Sequence, residues 1–275
     1  CRVFCLPGPP KEMERMLLYE VIPELSGNHE RYIAPLEAVT FLIPESQLEE
    51  LCREAAGDEP IRWGTRVQGL HISLYLSGAP RKTQEDMILR LQALAGASRV
   101  RLGTDCLARR CINQCSEAGL SIALAESCTG GMIAKMLTDE PGSSRILWGS
   151  FVCYSNEAKQ EMLGVSKHTL KTHGAVSEQT AREMAEGALR RSQADAALAV
   201  TGIAGPDGGS EEKPVGTIWF ALASPRRETI SLQWNWGYPR RDLIRRRTAV
   251  MALLLLEGYL KGDKVLDMVT RWQYS

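Results

Sequence analysis

Net charge is the first thing this sequence lacks: 33 lysines and arginines balance 33 aspartates and glutamates. No bulk field therefore draws it toward nucleic acid or an anionic membrane. Long apolar runs are missing too. The longest, at 249–256, has eight residues, far short of the roughly 18 that span a bilayer, and no secretory signal pattern is read. Histidine is scarce, with 4 in 275 residues. The cysteines, at 1, 5, 52, 106, 111, 115, 128 and 153, show no C-x-x-C pairing and no nearby histidine to complete a zinc site. Cys111 and Cys115, four apart on an expected helix, could share a face. As a set the cysteines read as small buried apolar side chains in a reducing compartment. The expectation is a soluble, cytoplasmic protein without a metal centre or bound cofactor. At 44% hydrophobic and 24% charged, the composition supports two compact domains.

The patterning divides the chain into four stretches. In the first, 1–30, residues 1–6 alternate like a strand, Pro7-Gly8-Pro9-Pro10 breaks it, and Met13, Met16, Leu17, Val21 and Ile22 recur at helical spacing. A strand there has no earlier partner, so this stretch reads as the end of a domain whose front is missing, closed by Ser26-Gly27-Asn28. Residues 31–104 read as a small α+β unit with strands at 37–43 and 71–76 and helices at 45–56 and 83–94. RNA binding of the KH kind would need a Gly-x-x-Gly clamp between helices, and none is visible; His71 reads as a packed strand residue. From 105 to 266 helices and strands alternate, which predicts an α/β sheet with helices on both faces. Its clearest helix, 178–191, starts after Ser177 and carries apolar residues at 181, 184, 185, 188 and 189. Residues 267–275 read as a tail.

Chemistry collects where strands hand over to loops. Glu126-Ser127-Cys128-Thr129-Gly130-Gly131 ends a strand at 121–126 and opens a helix. Its hydroxyls and glycines offer an anion site at a helix start, or a nucleophile at Ser127; a plain helix cap is the other reading. Lys159 falls in the first turn of a helix at 157–163, where the positive end of the helix dipole should lower its pKa. A more easily neutral lysine can act as general base toward a serine, although alone it would read as a solvated side chain. Ser144 follows a Pro141-Gly142-Ser143 turn, where serines ordinarily cap. The loop 202–215 is long and glycine-rich, the kind that is functional or disordered. Arg241 and Arg245, four apart on the last helix, could clamp a phosphate or form a solvated face.

In this order, Ala125–Gly131, Gly142–Ser144, Tyr154–Lys159, His173–Glu178, Thr201–Val215 and the arginine helix resemble the C-terminal domain of the CinA family, the nicotinamide-nucleotide amidases (PncC). The resemblance covers about 105–262. It implies an α/β/α layered domain of that type and hydrolysis of the carboxamide of nicotinamide mononucleotide to nicotinate mononucleotide and ammonia. A serine–lysine dyad is implied, without metal. Matched segment to segment, the nucleophile falls at Ser144 and the base at Lys159, with Tyr154 and an arginine assisting. Ser127, Thr129, Gly130, Thr201, Gly202, Arg241 and Arg245 would bind the nucleotide. Where the family shows Gly-Asp-Arg, this sequence reads Gly237-Tyr238-Pro239-Arg240-Arg241, so Arg240 or Arg241 fills the first arginine slot. The front is similar to the closing motif of a molybdopterin-binding-like domain, and 31–104 to the KH-like domain that follows it. A homodimer or larger assembly is implied. Two rival readings are a non-catalytic competence- or DNA-damage-associated binding protein, and an ADP-ribose pyrophosphatase whose residues would precede Cys1.

Overall fold

Pro9 and Pro10 open the first helix, α1 (Pro10–Met16), because a proline at the first helical position lacks only an N–H that would be unpaired anyway. A π-helical turn, Leu17–Val21, carries it into α2 (Ile22–Ser26). The computed structural model describes residues 3–26, 34–237 and 240–273. Residues 3–7 form no strand, contrary to the alternation read there; three prolines or glycines by position 9 leave the ladder without partners or donors. Gly27 and Asn28, where a boundary was read, lie outside the described residues. The chain divides into two compact units, Cys1–Pro35 and Leu36–Ser275.

In the second unit, β1 (Leu36–Phe41), α3 (Glu45–Ala56), β2 (Arg62–Gln68), β3 (His71–Ser77), α4 (Arg81–Ala95) and β4 (Val100–Leu102) build an antiparallel sheet in the order β2-β3-β1-β4. Helices α3 and α4 cover one face, burying Leu48, Leu74, Leu76, Met87 and Leu91. On the other face, Val39 and Phe41 join Leu107, Cys111 and Ile112 in the next core. The two sheets on either side of 104/105 therefore share one apolar core.

The larger sheet follows: α5 (Leu107–Ala118), β5 (Ile122–Glu126), α6 (Met132–Thr138), β6 (Leu147–Val152), α7 (Asn156–Leu163), α8 (Lys167–His173), α9 (Glu178–Ser192), β7 (Ala196–Gly202), β8 (Thr217–Ser224), β9 (Arg227–Asn235), α10 (Arg241–Lys261) and α11 (Val265–Gln273). Its order is β6-β5-β7-β8-β9, with β6, β5 and β7 parallel and the last two pairings antiparallel. One face is bulky: Ile122, Leu124, Leu198, Val200 and Phe220 pack against α5, α6 and α10. The other is alanine-rich, with Ala123, Ala125, Ala197, Ala199, Ala221 and Ala223 meeting α9. Small side chains there let α9 lie close to the strands. The result is the expected α/β/α layering.

The apolar run at 249–256 is the middle of α10, buried all round as a helix enclosed by sheet and helices must be. Among the described residues no helix is long and apolar enough to cross a membrane. The stretch read as a tail is helical through Gln273; Val269 and Trp272 are buried, and the Trp272 indole N–H donates to Ser98 Oγ over 3.2 Å.

Candidate active site

Strands β5, β6 and β7 run parallel, so Glu126, Val152 and Gly202 end at one edge of the sheet. Ser127 is the first residue past β5. Its N–H donates to Val200 O (3.0 Å), which fixes it against the end of β7. Past β6, Ser155 caps α7, its hydroxyl accepting from Ala158 N at 3.1 Å. The cap is thus Ser155, and Lys159 enters one turn into the helix. Gly164, in the left-handed region at φ 73°, ends it.

The Lys159 side chain is buried, with 1% of its surface exposed. Its Nζ lies 3.1 Å from Ser127 Oγ, 3.0 Å from Cys153 O and 3.0 Å from Tyr154 O. A neutral amine has two protons and one lone pair. The two carbonyls can only accept, so they take both protons, and the lone pair is left for the Ser127 hydroxyl. Burial is the largest influence on this amine and pulls its pKa below the ordinary lysine value; Cys153, Cys128 and Glu157 pull the other way. The expected direction is found, with burial as its largest cause. Cys128, adjacent to Ser127, is pushed up to about 12 by burial and stays a thiol. The pair is therefore a hydroxyl beside a lysine biased toward its neutral form.

The structure does not bring Ser144 to this pair. Ser144 is exposed in a single turn, Ser143–Arg145, before β6 begins. Lys159 Nζ holds the carbonyl just after β6 ends. Six strand residues separate the two positions, a rise of about 20 Å, so within one chain it is Ser127, and not Ser144, that stands beside Lys159.

A cavity of about 280 Å³ opens over the pair, its wall including Ser127, Tyr154, Lys159, Thr201, Asp207 and Arg241. Arg241 donates to Gly205 O (2.6 Å) and reaches the Tyr154 hydroxyl at 3.4 Å. Thr201 Oγ1 is tied to Ala175 O (2.8 Å), so it shapes the wall. Gly202 also lines the cavity, but its missing side chain serves packing: a Cβ there would come 2.8 Å from Thr217 O. Arg245, Thr129 and Gly130 are not among the residues that line it. Arg245 donates through Nε to Cys128 O (3.0 Å) and through Nη2 to Thr129 O (2.8 Å). Thr129 is wholly buried, its hydroxyl without a partner among the described residues. A larger cavity, about 490 Å³, lies between Gly96 and Trp272, away from the pair.

The anion site expected at the start of α6 is already filled from within the chain. The Glu126 carboxylate accepts from Ile133 N (3.1 Å) and Ala134 N (2.9 Å), and from Ser150 Oγ (3.1 Å). An acidic residue ahead of a glycine-opened helix was the available signal. Asp207, Ala175 and Val176 also line the cavity; each lies inside a stretch singled out as a whole, with no pattern that marks it individually. Among the described residues no cluster of three metal-ligating side chains occurs.

A family profile, the CinA C-terminal domain, matches residues 104–260. A "Putative competence-damage inducible protein" of Symbiobacterium thermophilum is 41% identical over 94% of this chain and 65% of its own length. A "CinA-like protein" of Akkermansia muciniphila is 42% identical over 95% of this chain and 63% of its own. The chain thus spans a little under two thirds of these relatives. Among solved structures, the competence/damage inducible protein CihA of Agrobacterium tumefaciens superposes with a TM-score of 0.55 at 49% identity, covering 56% of this chain and 93% of that one.

Proposed function

The chain belongs to the CinA family, and from that premise we propose that it is a nicotinamide-nucleotide amidase, converting nicotinamide mononucleotide to nicotinate mononucleotide and ammonia. The observation that carries this reading is the buried Lys159 Nζ, 3.1 Å from Ser127 Oγ and 3.0 Å from each of two carbonyl oxygens, on the wall of a cavity.

The chemistry follows from those contacts. Lys159 takes the Ser127 proton as Oγ attacks the amide carbon. The tetrahedral intermediate collapses by breaking the C–N bond, and the proton on Lys159 leaves with ammonia. Water then attacks the acyl-serine, Lys159 takes a proton from that water, and the carboxylate product departs as Ser127 regains its hydrogen. The Tyr154 hydroxyl and the Arg241 guanidinium are donors on the cavity wall, suited to the developing oxyanion and to a phosphate.

Ammonia release from nicotinamide mononucleotide, measured with EDTA present, tests the reading. Turnover by the wild type and its loss in Ser127→Ala is the expected result. A wild type that binds the nucleotide yet releases no ammonia would instead favour a non-catalytic, competence- or damage-associated role.

A further inference from the structure

We propose that Arg245 is a positioning residue for Ser127, holding the two peptide units that follow it so that the Ser127 hydroxyl stays against the Lys159 amine. The identity of the reaction it serves rests on the amidase reading; the geometry does not.

Spacing alone makes Arg245 a companion of Arg241 in gripping a phosphate. The structure separates them. Arg241 lines the cavity, whereas Arg245, one turn later on α10, turns both ends of its guanidinium onto backbone: Nε to Cys128 O and Nη2 to Thr129 O, at 3.0 and 2.8 Å. These carbonyls belong to the first two residues after Ser127. The planar fork suits such a double contact, and a lysine ammonium on a flexible stem does not reproduce it.

The loop needs this support. Before it, Ser127 is anchored by its N–H to Val200 O. After it, Glu126 grips the first turn of α6. Between the anchors lie Gly130 and Gly131, both in the left-handed region at φ 59° and 87°, where glycine is freest to move. Arg245 pins the middle. Gly130 is shaped to it: an added Cβ would come 3.1 Å from Arg245 Nη2. Because α10 also carries Arg241, one rigid helix sets both the cavity's cation and the alignment of its nucleophile.

The test uses a sulfonyl fluoride probe, which labels an activated serine without needing the nucleotide. Labelling of Ser127 is followed by mass spectrometry in the whole chain, beside kcat and KM for nicotinamide mononucleotide and a thermal melt. Arg245→Ala should slow labelling and kcat by roughly 10²-fold, the scale of a misplacement near 1 Å, with KM within about twofold of wild type. Arg245→Lys should fall between them. Labelling at the wild-type rate in Arg245→Ala would overturn the proposal, as would a raised KM with unchanged kcat, which would return Arg245 to substrate binding. If Arg245→Ala does not fold, Arg245→Lys decides: wild-type labelling in a folded Arg245→Lys overturns it and slowed labelling supports it. A wild type whose Ser127 fails to label also overturns it. A wild type that labels but releases no ammonia removes the amidase reading alone.

Discussion

The two edges of the larger sheet carry similar residues and treat them differently. At the edge where β5, β6 and β7 end, Ser127 is buried beside a buried lysine, under a cavity. At the edge where they begin, Ser121 gives its hydroxyl and its N–H to Asp195, both at 2.8 Å, and Ser144 faces solvent. At this second edge the Ser121 hydroxyl ties the start of β5 to the residue before β7. Those bonds, with the backbone contact largest, hold the Asp195 carboxyl below its usual range, which makes it a poor proton acceptor. Parallel strands send all their outgoing loops to one edge, and only there can residues from three loops converge. Burial then changes what a lysine can do: at the surface it would stay charged, and here it is biased toward the neutral amine.

The largest effect that would test this contrast comes from Lys159. Lys159→Ala should lower kcat by 10²–10⁴-fold, the range of a lost general base. The wild-type pH profile sharpens it. The base works when neutral, so kcat/KM should rise with pH and level off above the lysine's folded pKa. Burial has lowered that value, so the rise should be centred below the ordinary lysine value of 10.5. In the window between the two values the unfolded chain binds more protons than the native one. Stability therefore also rises with pH across it. A profile without this limb, or one centred at the free-lysine value, would put the base elsewhere.

Much of the contrast could be read from the residues, and the parts that could not have identifiable causes. Lys159 stood out because Tyr154-Ser155-Asn156 announces a helix start after an apolar strand. The strands β5 and β8 are largely apolar runs bounded by glycine or serine, and β7 is a largely apolar run that ends on glycine, as suits strands covered on both faces. Which of Ser127 and Ser144 stands beside Lys159 was hidden, because it depends on strand polarity and on which strands are neighbours. Neither is a local property. The edge strand β2 alternates exposed polar and half-buried residues and has no apolar run, and β4 has only three residues. Arginine spacing gave the shared helix face of Arg241 and Arg245, but their division of labour depends on the loop packed against α10.

A smaller effect links the alanine-rich face to the site. Gly187 in α9 lies so close to the end of α7 that an added Cβ would fall 2.0 Å from Leu163 O. A backbone carbonyl cannot rotate away as a side chain can, so Gly187→Ala must push α9 from α7, the helix that carries Lys159. Overpacking of this kind costs roughly 1–3 kcal/mol, to be seen as a lower melting temperature. Displacing α7 should also weaken labelling of Ser127. If stability falls while labelling holds, the lysine is positioned by the Cys153 and Tyr154 carbonyls alone.

The smallest expected effect bears most directly on the two edges. Ser144→Ala removes an exposed hydroxyl from a one-turn helix, a class of change that usually stays within about 0.5 kcal/mol. Turnover and labelling should match the wild type. Loss of activity with the fold intact would mean that an exposed serine about 20 Å along the strand direction takes part in the reaction. No movement within this sheet spans that distance, so Ser144 could then act only if a second copy of the chain brought it to the cavity. Diluting the wild type to concentrations that favour monomers would separate that outcome from an indirect effect of the substitution on folding, because a site shared between two copies loses specific activity on dilution and a site within one chain does not.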